Sequence, residues 1–412
     1  MRIKDPKIAW LLLYVFVNVV ATIIMLTTGQ LIGDAAGNRV YDTDILLLAS
    51  FLVVFSYIFL LVGVYGGVCK CHIKKINFGV SEDALYSKIG IFLIIFQILF
   101  MLFNLSSGVN VAGSNNVKVG GFSSIFWALM PVDALFLIYY GVARDNKYFR
   151  INLLIYLVSN VSRGWAGVFL IVAFMEWCWA YRNQRIKFKY ILPLFVVFLL
   201  FYPILNAIKF YIRTNPNEFS LIGFLDVFDS NFGNISYVDS VYLGVLHVVE
   251  RIQTVSILAM VIQLKDFLYI GYLNGEFTPF WWEGLHGIIF DRLLGNSNNI
   301  PFSVAFTKYG SFNWDFEIGS WNTNTAYASW FFVAPYLIPL YLFYTFLLCF
   351  VSYVLIKKIS SSISALDLLW MSWLLYLLPP WFGTFVQFIY ALFIFLVLKS
   401  IFGLVLLKKE LK

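Results

Sequence analysis

Apolar runs of roughly 20 residues recur along most of this 412-residue chain, and they constrain its fold more than any other feature. A run of that length spans the hydrocarbon core of a bilayer as a single α-helix. Only 12% of the residues are charged, against about 25% in soluble domains, which is too few to cover a globular protein of this size. The sequence therefore predicts an all-α polytopic membrane protein.

The apolar runs define the predicted membrane spans. The first follows a basic N-terminus, is too long for the core of a signal peptide and lacks a small-residue cleavage site, so we interpret it as a retained span. Alternating segments of about ten residues, typical of membrane β-barrels, do not recur. The predicted spans cover residues 8–28, 45–68, 88–105, 122–142, 190–207, 333–356 and 386–407.

Residues 151–181 predict a helical hairpin rather than one long helix. Basic clusters flank both ends, and a single crossing would place one of them outside, against the positive-inside rule. A turn at 162–164 keeps both basic clusters inside. The first arm of the hairpin then has only about 12 residues, roughly 18 Å, which is shorter than a ~30 Å hydrocarbon core. Arg163 is therefore predicted to lie below the outer surface, inside the protein. Residues 367–407 repeat the pattern, with a short arm at 367–378 and a turn at 379–383.

This arrangement predicts about ten crossings, with a range of ten to twelve, and cytoplasmic N- and C-termini. Most of the 29 Lys and Arg residues then lie on the cytoplasmic side. Three regions follow: N-terminal membrane helices at 1–207, a large external segment with helices at 208–332, and C-terminal membrane helices at 333–412.

Composition and motifs exclude several classes of partner and cofactor. The net charge of +7 comes from short loops between apolar runs, so it indicates topology and not nucleic-acid binding. No P-loop or dinucleotide-binding motif is present, which argues against direct use of ATP or a soluble nucleotide sugar. The Cys69, Cys71 and His72 group is a weak metal pattern. We expect no metal and no cofactor.

Arg163 is the first candidate site residue, because an arginine at membrane depth is costly and is usually functional or paired. It could cap a helix or reach a lipid headgroup. Alternatively it could hold the diphosphate of a lipid-linked substrate, since a guanidinium makes two-pronged contacts to phosphate. No Asp or Glu lies in the first hairpin arm, so we expect its negative partner to be that diphosphate.

Residues 239–264 predict one helix with a polar stripe on an otherwise apolar surface. The stripe is either a structural Glu–Arg pair or a wall of an active cavity, with His247 or Glu250 as a base beside a phosphate-binding Arg251. Its members at helical spacing are Ser240, His247, Glu250, Arg251 and Thr254.

Further candidates are more weakly supported. Arg213, Arg292 and Lys308 are possible diphosphate ligands, although Arg213 at a span boundary could simply anchor to headgroups. Asn322 and Asn324 follow an aromatic cluster at 312–321, a combination that suits a sugar but is also typical of interfacial belts. Asp133, within a span, must be neutral, paired or in a wet cavity, and an ion-coupling role is the alternative.

These features together resemble the bacterial O-antigen and capsule repeat-unit polymerases of the Wzy type. Ser162-Arg163-Gly164 resembles an S-R-G shared with the related O-antigen ligases, and N-T-N-T-A-Y at 322–327 is similar to a segment before a late span in that family. The large external segment predicted before the last spans also resembles the layout of that family. A histidine typical of the ligases is replaced here by Asn322 and Asn324, which favours a polymerase. The Pro-Arg often found in the loop of the polymerases is absent, which weakens the case for Arg292.

The resemblance implies a GT-C-like membrane glycosyltransferase of the bacterial inner membrane. It would transfer a growing glycan from undecaprenyl diphosphate to a new lipid-linked unit on the periplasmic face, without a metal. Its implied partners are the lipid-linked oligosaccharide, membrane lipids, and a flippase and chain-length regulator of the same pathway. The alternatives are a flippase or other transporter, an O-antigen ligase, and a non-catalytic scaffold.

Overall fold

The structure is a computed structural model, and it describes residues 5–40, 42–108, 122–165, 167–185, 237–294, 300–309 and 323–410, with six isolated residues between 193 and 211. Throughout these ranges the regular structure is helical, and the only strand pairing is an isolated bridge between Gln30 and Arg39. The predicted all-α class is confirmed for the part of the chain that is described.

The helices fall into two groups along the chain. The first comprises α1 (Pro6–Thr28), α2 (Thr43–Val68), α3 (Glu82–Ser107), α4 (Phe122–Leu129), α5 (Val132–Ala143), α6 (Phe149–Ser162) and α7 (Val168–Arg182). The second comprises α8 (Tyr237–Ile252), α9 (Val255–Gln263), α10 (Lys265–Leu273), α11 (Leu285–Leu294), α12 (Phe302–Tyr309), α13 (Pro335–Ile359), α14 (Ile363–Leu377) and α15 (Phe382–Glu410).

Six helical segments among the described residues are long and apolar enough to cross a membrane, or seven if α8 and α9 form one bent span. They include α1, α2, α3, α13 and α15, which coincide with predicted spans, and Ile125–Ala143 across α4 and α5. Large apolar side chains such as Phe16, Phe51 and Leu154 are more than half exposed, as expected where lipid replaces water. The chain is a polytopic membrane protein. The predicted span at 190–207 lies mostly outside the described residues, so the total of ten crossings stays a prediction.

Local sequence signals define the first helix well. The Asp5 side chain accepts a hydrogen bond from the Lys7 amide at 3.1 Å, and Pro6 occupies the first helical position. At the other end Gly29 adopts a left-handed conformation and ends α1. The predicted boundary at 28 is confirmed.

Helix α5 lies at the centre of the fold and is buried on nearly all its faces. It packs against α3, α6, α14 and α15. The sequence predicted one span at 122–142, whereas the structure interrupts it after α4. Pro131 has no backbone N–H to donate to the preceding turn, so α5 begins anew at Val132.

The prediction of one helix over 239–264 is wrong, because the chain breaks between α8 and α9 and bends by 51°. The side chain of Asn18, inside α1, accepts the Thr254 amide hydrogen at 3.0 Å. The Gln253 side chain accepts the Ser256 amide hydrogen at 3.1 Å. These two side chains satisfy amides at the start of α9 that helix continuation would have paired. Thr254 consequently leaves the predicted polar stripe.

Both predicted hairpins are present, as α6–α7 and α14–α15. The ends opposite their turns, which the sequence predicts to be cytoplasmic, are joined by Asp367 on α14. Its carboxylate accepts a hydrogen bond from Lys7 Nζ at 3.0 Å and pairs with Arg182 at the end of α7. This inner ion cluster, formed by Lys7, Arg182 and Asp367, holds the two hairpins and the start of α1 together.

Candidate functional site

Arg163 lies at the turn between α6 and α7, where the sequence predicts it. Helix α6 has 14 residues, roughly 21 Å in length, which is shorter than a ~30 Å hydrocarbon core. Gly164 has a positive φ of 73°, and its amide donates to the Val161 carbonyl at 2.9 Å. The glycine is required here because few other residues adopt this conformation without strain. The short arm therefore ends in a tight turn that presents Arg163 to the protein interior.

The guanidinium of Arg163 is buried and has a protein partner. Its Nη2 lies 2.7 Å from Asp133 Oδ2, and its Nε donates to the Ser159 carbonyl at 2.9 Å. The Phe100 ring lies 5.0 Å from the guanidinium carbon. The expectation that a lipid diphosphate must supply the negative charge is wrong, because Asp133 on the neighbouring helix α5 supplies it. Asp133 is paired, which is one of the three states predicted for it.

In the Arg163–Asp133 pair the arginine is buried, whereas the carboxylate is partly exposed. The side chain of Arg163 is 5% exposed, whereas that of Asp133 is 33% exposed. The side-chain amide nitrogen of Asn160 lies 3.4 Å from Asp133 Oδ1. The carboxylate also interacts electrostatically with the hydroxyl groups of Tyr156 and Tyr376. Asp133 is thus the accessible member of the pair, and Tyr376 of the second hairpin lies within electrostatic range of it.

The second hairpin turn continues this line of contacts toward the segment predicted to be external. The end of α14 is a π-helical turn at Trp373–Leu377, a local geometry often found at functional sites. The Trp381 amide donates to the Tyr376 carbonyl at 2.7 Å. The Trp381 indole nitrogen lies 3.4 Å from the Thr323 carbonyl. The second turn therefore connects the neighbourhood of Asp133 to the segment that contains Asn324.

Asn324 belongs to a second group, the outer polar cluster, formed by Asp34, Glu250, Arg251 and Asn324. The Asn324 side chain donates to the Arg251 carbonyl at 2.9 Å, and Arg251 Nη1 lies 3.6 Å from Asp34 Oδ1. Glu250 accepts a hydrogen bond from the Gly33 amide. Three predicted site residues, Glu250, Arg251 and Asn324, are brought together here, and Asp34 joins them from the loop after α1.

The cluster leaves its arginine accessible. The Arg251 side chain is 40% exposed, and its distance to Asp34 is that of a loose ion pair. Burial raises the pKa of Asp34, and the nearby Arg251 charge partly offsets that rise. Gly33 permits the close packing, since a Cβ there would lie 2.9 Å from Gln253 Nε2. Arg251 can therefore contact an anionic ligand with part of its guanidinium while Asp34 holds it in place.

Glu283 is a buried carboxyl group that the sequence analysis did not single out. It accepts hydrogen bonds from the amides of Phe302, the first residue of α12, and Gly383, the second residue of α15. Burial raises the pKa of Glu283 to about 8, against the opposing effect of the two amides. Its only sequence signal is its place directly after the aromatic run Phe280–Trp282.

Several predicted residues cannot be placed. Arg213 and Asn322 lie outside the described residues, as do the side chains of His247, Arg292 and Lys308. Their predicted roles stay predictions. Within the described ranges, no three His, Cys, Asp or Glu residues come close enough to hold a metal ion.

The fold and these contacts define a polytopic membrane protein with two short-armed hairpins and a line of polar contacts between them and the outer polar cluster. Comparison with protein-family models, with curated proteins and with solved structures finds no match to this chain.

Proposed function

We propose that this chain polymerises lipid-linked oligosaccharide repeat units on the outer face of a bacterial inner membrane, as a GT-C-like glycosyltransferase. The observation that carries the proposal is the recessed Arg163, with its open partner Asp133 and the contacts that lead through the second turn to Arg251. A lipid diphosphate presents its charge near the membrane surface, within reach of residues that lie between a recessed turn and an outer cluster.

The transfer requires stabilisation of a diphosphate leaving group. The acceptor hydroxyl oxygen attacks the anomeric carbon of the donor glycan, and the bond from that carbon to the diphosphate oxygen breaks. Both electrons of that bond leave with undecaprenyl diphosphate, whose charge the guanidinium groups of Arg163 and Arg251 stabilise. Asp133 neutralises Arg163 between turnovers and limits the cost of a buried cation.

The acceptor proton needs a base. Glu250 lies beside Arg251 and is half-buried, so it is placed next to the phosphate-binding group. His247, one turn earlier on α8, is the other candidate. The Trp381 ring and the Asn324 amide offer an aromatic face and a hydrogen-bonding group to the sugar.

A glycan profile tests the proposal. In the organism that carries the gene, deletion should reduce the surface polysaccharide to a single repeat unit on its acceptor, and the intact gene should restore the long polymer. Arg251→Ala should lower polymer formation about 10- to 150-fold, the effect of losing one charge-assisted contact. Arg39→Ala is the matched control, because Arg39 is an exposed arginine on the predicted outer side. Unchanged polymer in a stably expressed Arg251→Ala strain would remove the outer polar cluster from the site.

A lipid-linked oligosaccharide flippase is the second candidate, and the Arg163–Asp133 pair favours it, because intramembrane ion pairs also mark transport pathways. The same deletion strain distinguishes them. A missing flippase leaves no glycan on the acceptor, whereas a missing polymerase leaves one unit. Loss of an O-antigen ligase would instead leave polymer on the lipid carrier.

A further inference from the structure

We propose that the cytoplasmic ends of α6 and α7 form a binding pocket for a phosphate group, occupied by the headgroup of an anionic phospholipid from the adjoining leaflet. The pocket is a cavity of about 560 Å³ on the predicted cytoplasmic side, at the end of the first hairpin opposite Arg163. It shares no residue with the site described above, and the proposal does not depend on the proposed function.

The charge of the lining favours an anion. Four basic residues line the cavity, against the two acidic residues Asp145 and Glu176. The basic residues are Arg144, Lys147, Arg150 and Arg185.

Only one of these four is neutralised by a close carboxylate. Arg144 pairs with Glu176, with Nη2 at 2.5 Å from Oε2 and Nε at 3.1 Å from Oε1. In the described part of the chain, the other three side chains form no ion pair, and all three are exposed. The pocket therefore has basic groups that are available to a phosphate.

Trp179 fixes the position of two of the guanidinium groups. The guanidinium carbon of Arg144 lies 3.5 Å from the Trp179 ring centre, and that of Arg185 lies 4.4 Å from it. Such stacking restrains a long side chain and lowers the entropy lost when it binds an anion. Two arginines held by one indole form a preorganised site and not merely a mobile basic surface.

The start of α6 adds partial positive charge to the same cavity. Phe149 and Arg150, the first two residues of α6, line it. Asn146 already accepts hydrogen bonds from the Tyr148 and Phe149 amides, so what this helix end offers a phosphate is the partial positive charge of its dipole.

The neighbouring surface indicates a lipid as the source of the phosphate. Leu153 lines the cavity, and Ile151 and Leu154 beside it on α6 are more than half exposed. Acyl chains can lie along this apolar face while the headgroup enters the basic cavity. A soluble phosphate would use only the basic part of the pocket.

The test uses the full chain purified in detergent and native mass spectrometry of bound lipid. We expect phosphatidylglycerol to be retained in preference to phosphatidylcholine. The pocket variant Lys147→Gln, Arg150→Gln, Arg185→Gln should lower phosphatidylglycerol binding about tenfold or more. The matched control is Lys70→Gln, Lys74→Gln, Lys88→Gln, which removes three exposed charges from the same predicted side, outside the pocket, and should change binding less than about twofold.

A second arm identifies the source of the phosphate. Sodium phosphate is added to the lipid-bound protein, with sodium chloride of equal ionic strength as the control. If sodium phosphate alone displaces the lipid, the phosphate site is supported and its ligand can also be soluble. If the pocket variant does not fold, the single change Arg150→Gln should still weaken binding several-fold. No preference for phosphatidylglycerol together with no effect of phosphate, or an equal loss in the control variant, would overturn the proposal.

Discussion

The two ends of the first hairpin each hold a buried ion pair, but the protein satisfies them to different degrees. In the inner ion cluster, Asp367 is 2% exposed and both carboxylate oxygens meet a cation, from Lys7 and from Arg182. At the turn, Arg163 is 5% exposed, whereas its partner Asp133 is 33% exposed and meets one cation.

This difference separates a structural ion cluster from a site that can accept a ligand. The inner cluster joins α1, α7 and α14 and leaves no oxygen of Asp367 without a cation. The turn pair keeps its arginine buried but leaves a carboxylate that solvent or a ligand can reach. Removing one partner of a buried, fully paired cluster leaves an uncompensated charge and is strongly destabilising, while a partly exposed pair can exchange partners at lower cost.

The largest effect on stability is expected from Asp367→Asn. It would break two ion pairs at once, because Arg182 would lose its carboxylate partner and Lys7 would keep only the looser contact with Asp5 at 3.6 Å, at a cost of about 3–5 kcal/mol. Thermal unfolding in detergent should show a large decrease in the midpoint. Asp145→Asn, at a carboxylate with an 85% exposed side chain, serves as the control and should change little. An unchanged midpoint for Asp367→Asn would show that the inner cluster does not stabilise the fold.

Glu283 is a buried carboxyl group that has amide donors in place of a cation, and the stability of the fold should depend on pH through its titration. Between pH 4.5 and about 8 the folded chain holds Glu283 protonated, while the unfolded chain ionises it. The unfolded state therefore gains stability as pH rises, by up to about 1.4 kcal/mol per pH unit, and the loss levels off above pH 8.

The change Glu283→Gln removes this titration. The midpoint of the natural chain should fall relative to Glu283→Gln as pH rises from 5 to about 8. Asp266→Asn, at an exposed carboxylate on α10, should show no such trend. A difference that is independent of pH would contradict the buried, protonated state of Glu283.

A smaller loss is expected from Asp133→Asn. The asparagine retains an oxygen that can accept a hydrogen bond from Arg163, and the position is partly exposed. The expected loss in the free energy of unfolding is therefore about 1–3 kcal/mol. The same unfolding assay ranks it against Asp367→Asn. If the two variants lose equal stability, the turn pair is as structural as the inner cluster, and the contrast between them disappears.

Hydropathy and charge were sufficient to predict both hairpins and the long apolar helices found among the described residues. The first hairpin followed from basic clusters on both sides of 151–181 and from an arm too short to cross. These are local properties of the chain, which the membrane itself imposes. The position of Arg163 at a turn could be predicted for the same reason.

Tertiary contacts account for what the sequence did not predict. Asp133 lies 30 residues before Arg163, and only helix packing makes them partners. The break after α8 depends on the Asn18 side chain, which lies 236 residues away in the sequence. Glu283 becomes notable only because two helix N-termini meet at its carboxyl group. No periodic pattern in the sequence carries this information.

The most direct test of the central claim is the size of the surface glycan in an Arg163→Ala strain. We predict near-normal amounts of protein in the membrane and a glycan reduced to a single repeat unit, because binding of the diphosphate is lost while flipping and ligation continue. Arg163→Lys should restore polymer only in part, since an ammonium group cannot make the two-pronged contact of a guanidinium. Long polymer of normal size distribution in a stably expressed Arg163→Ala strain would contradict the claim.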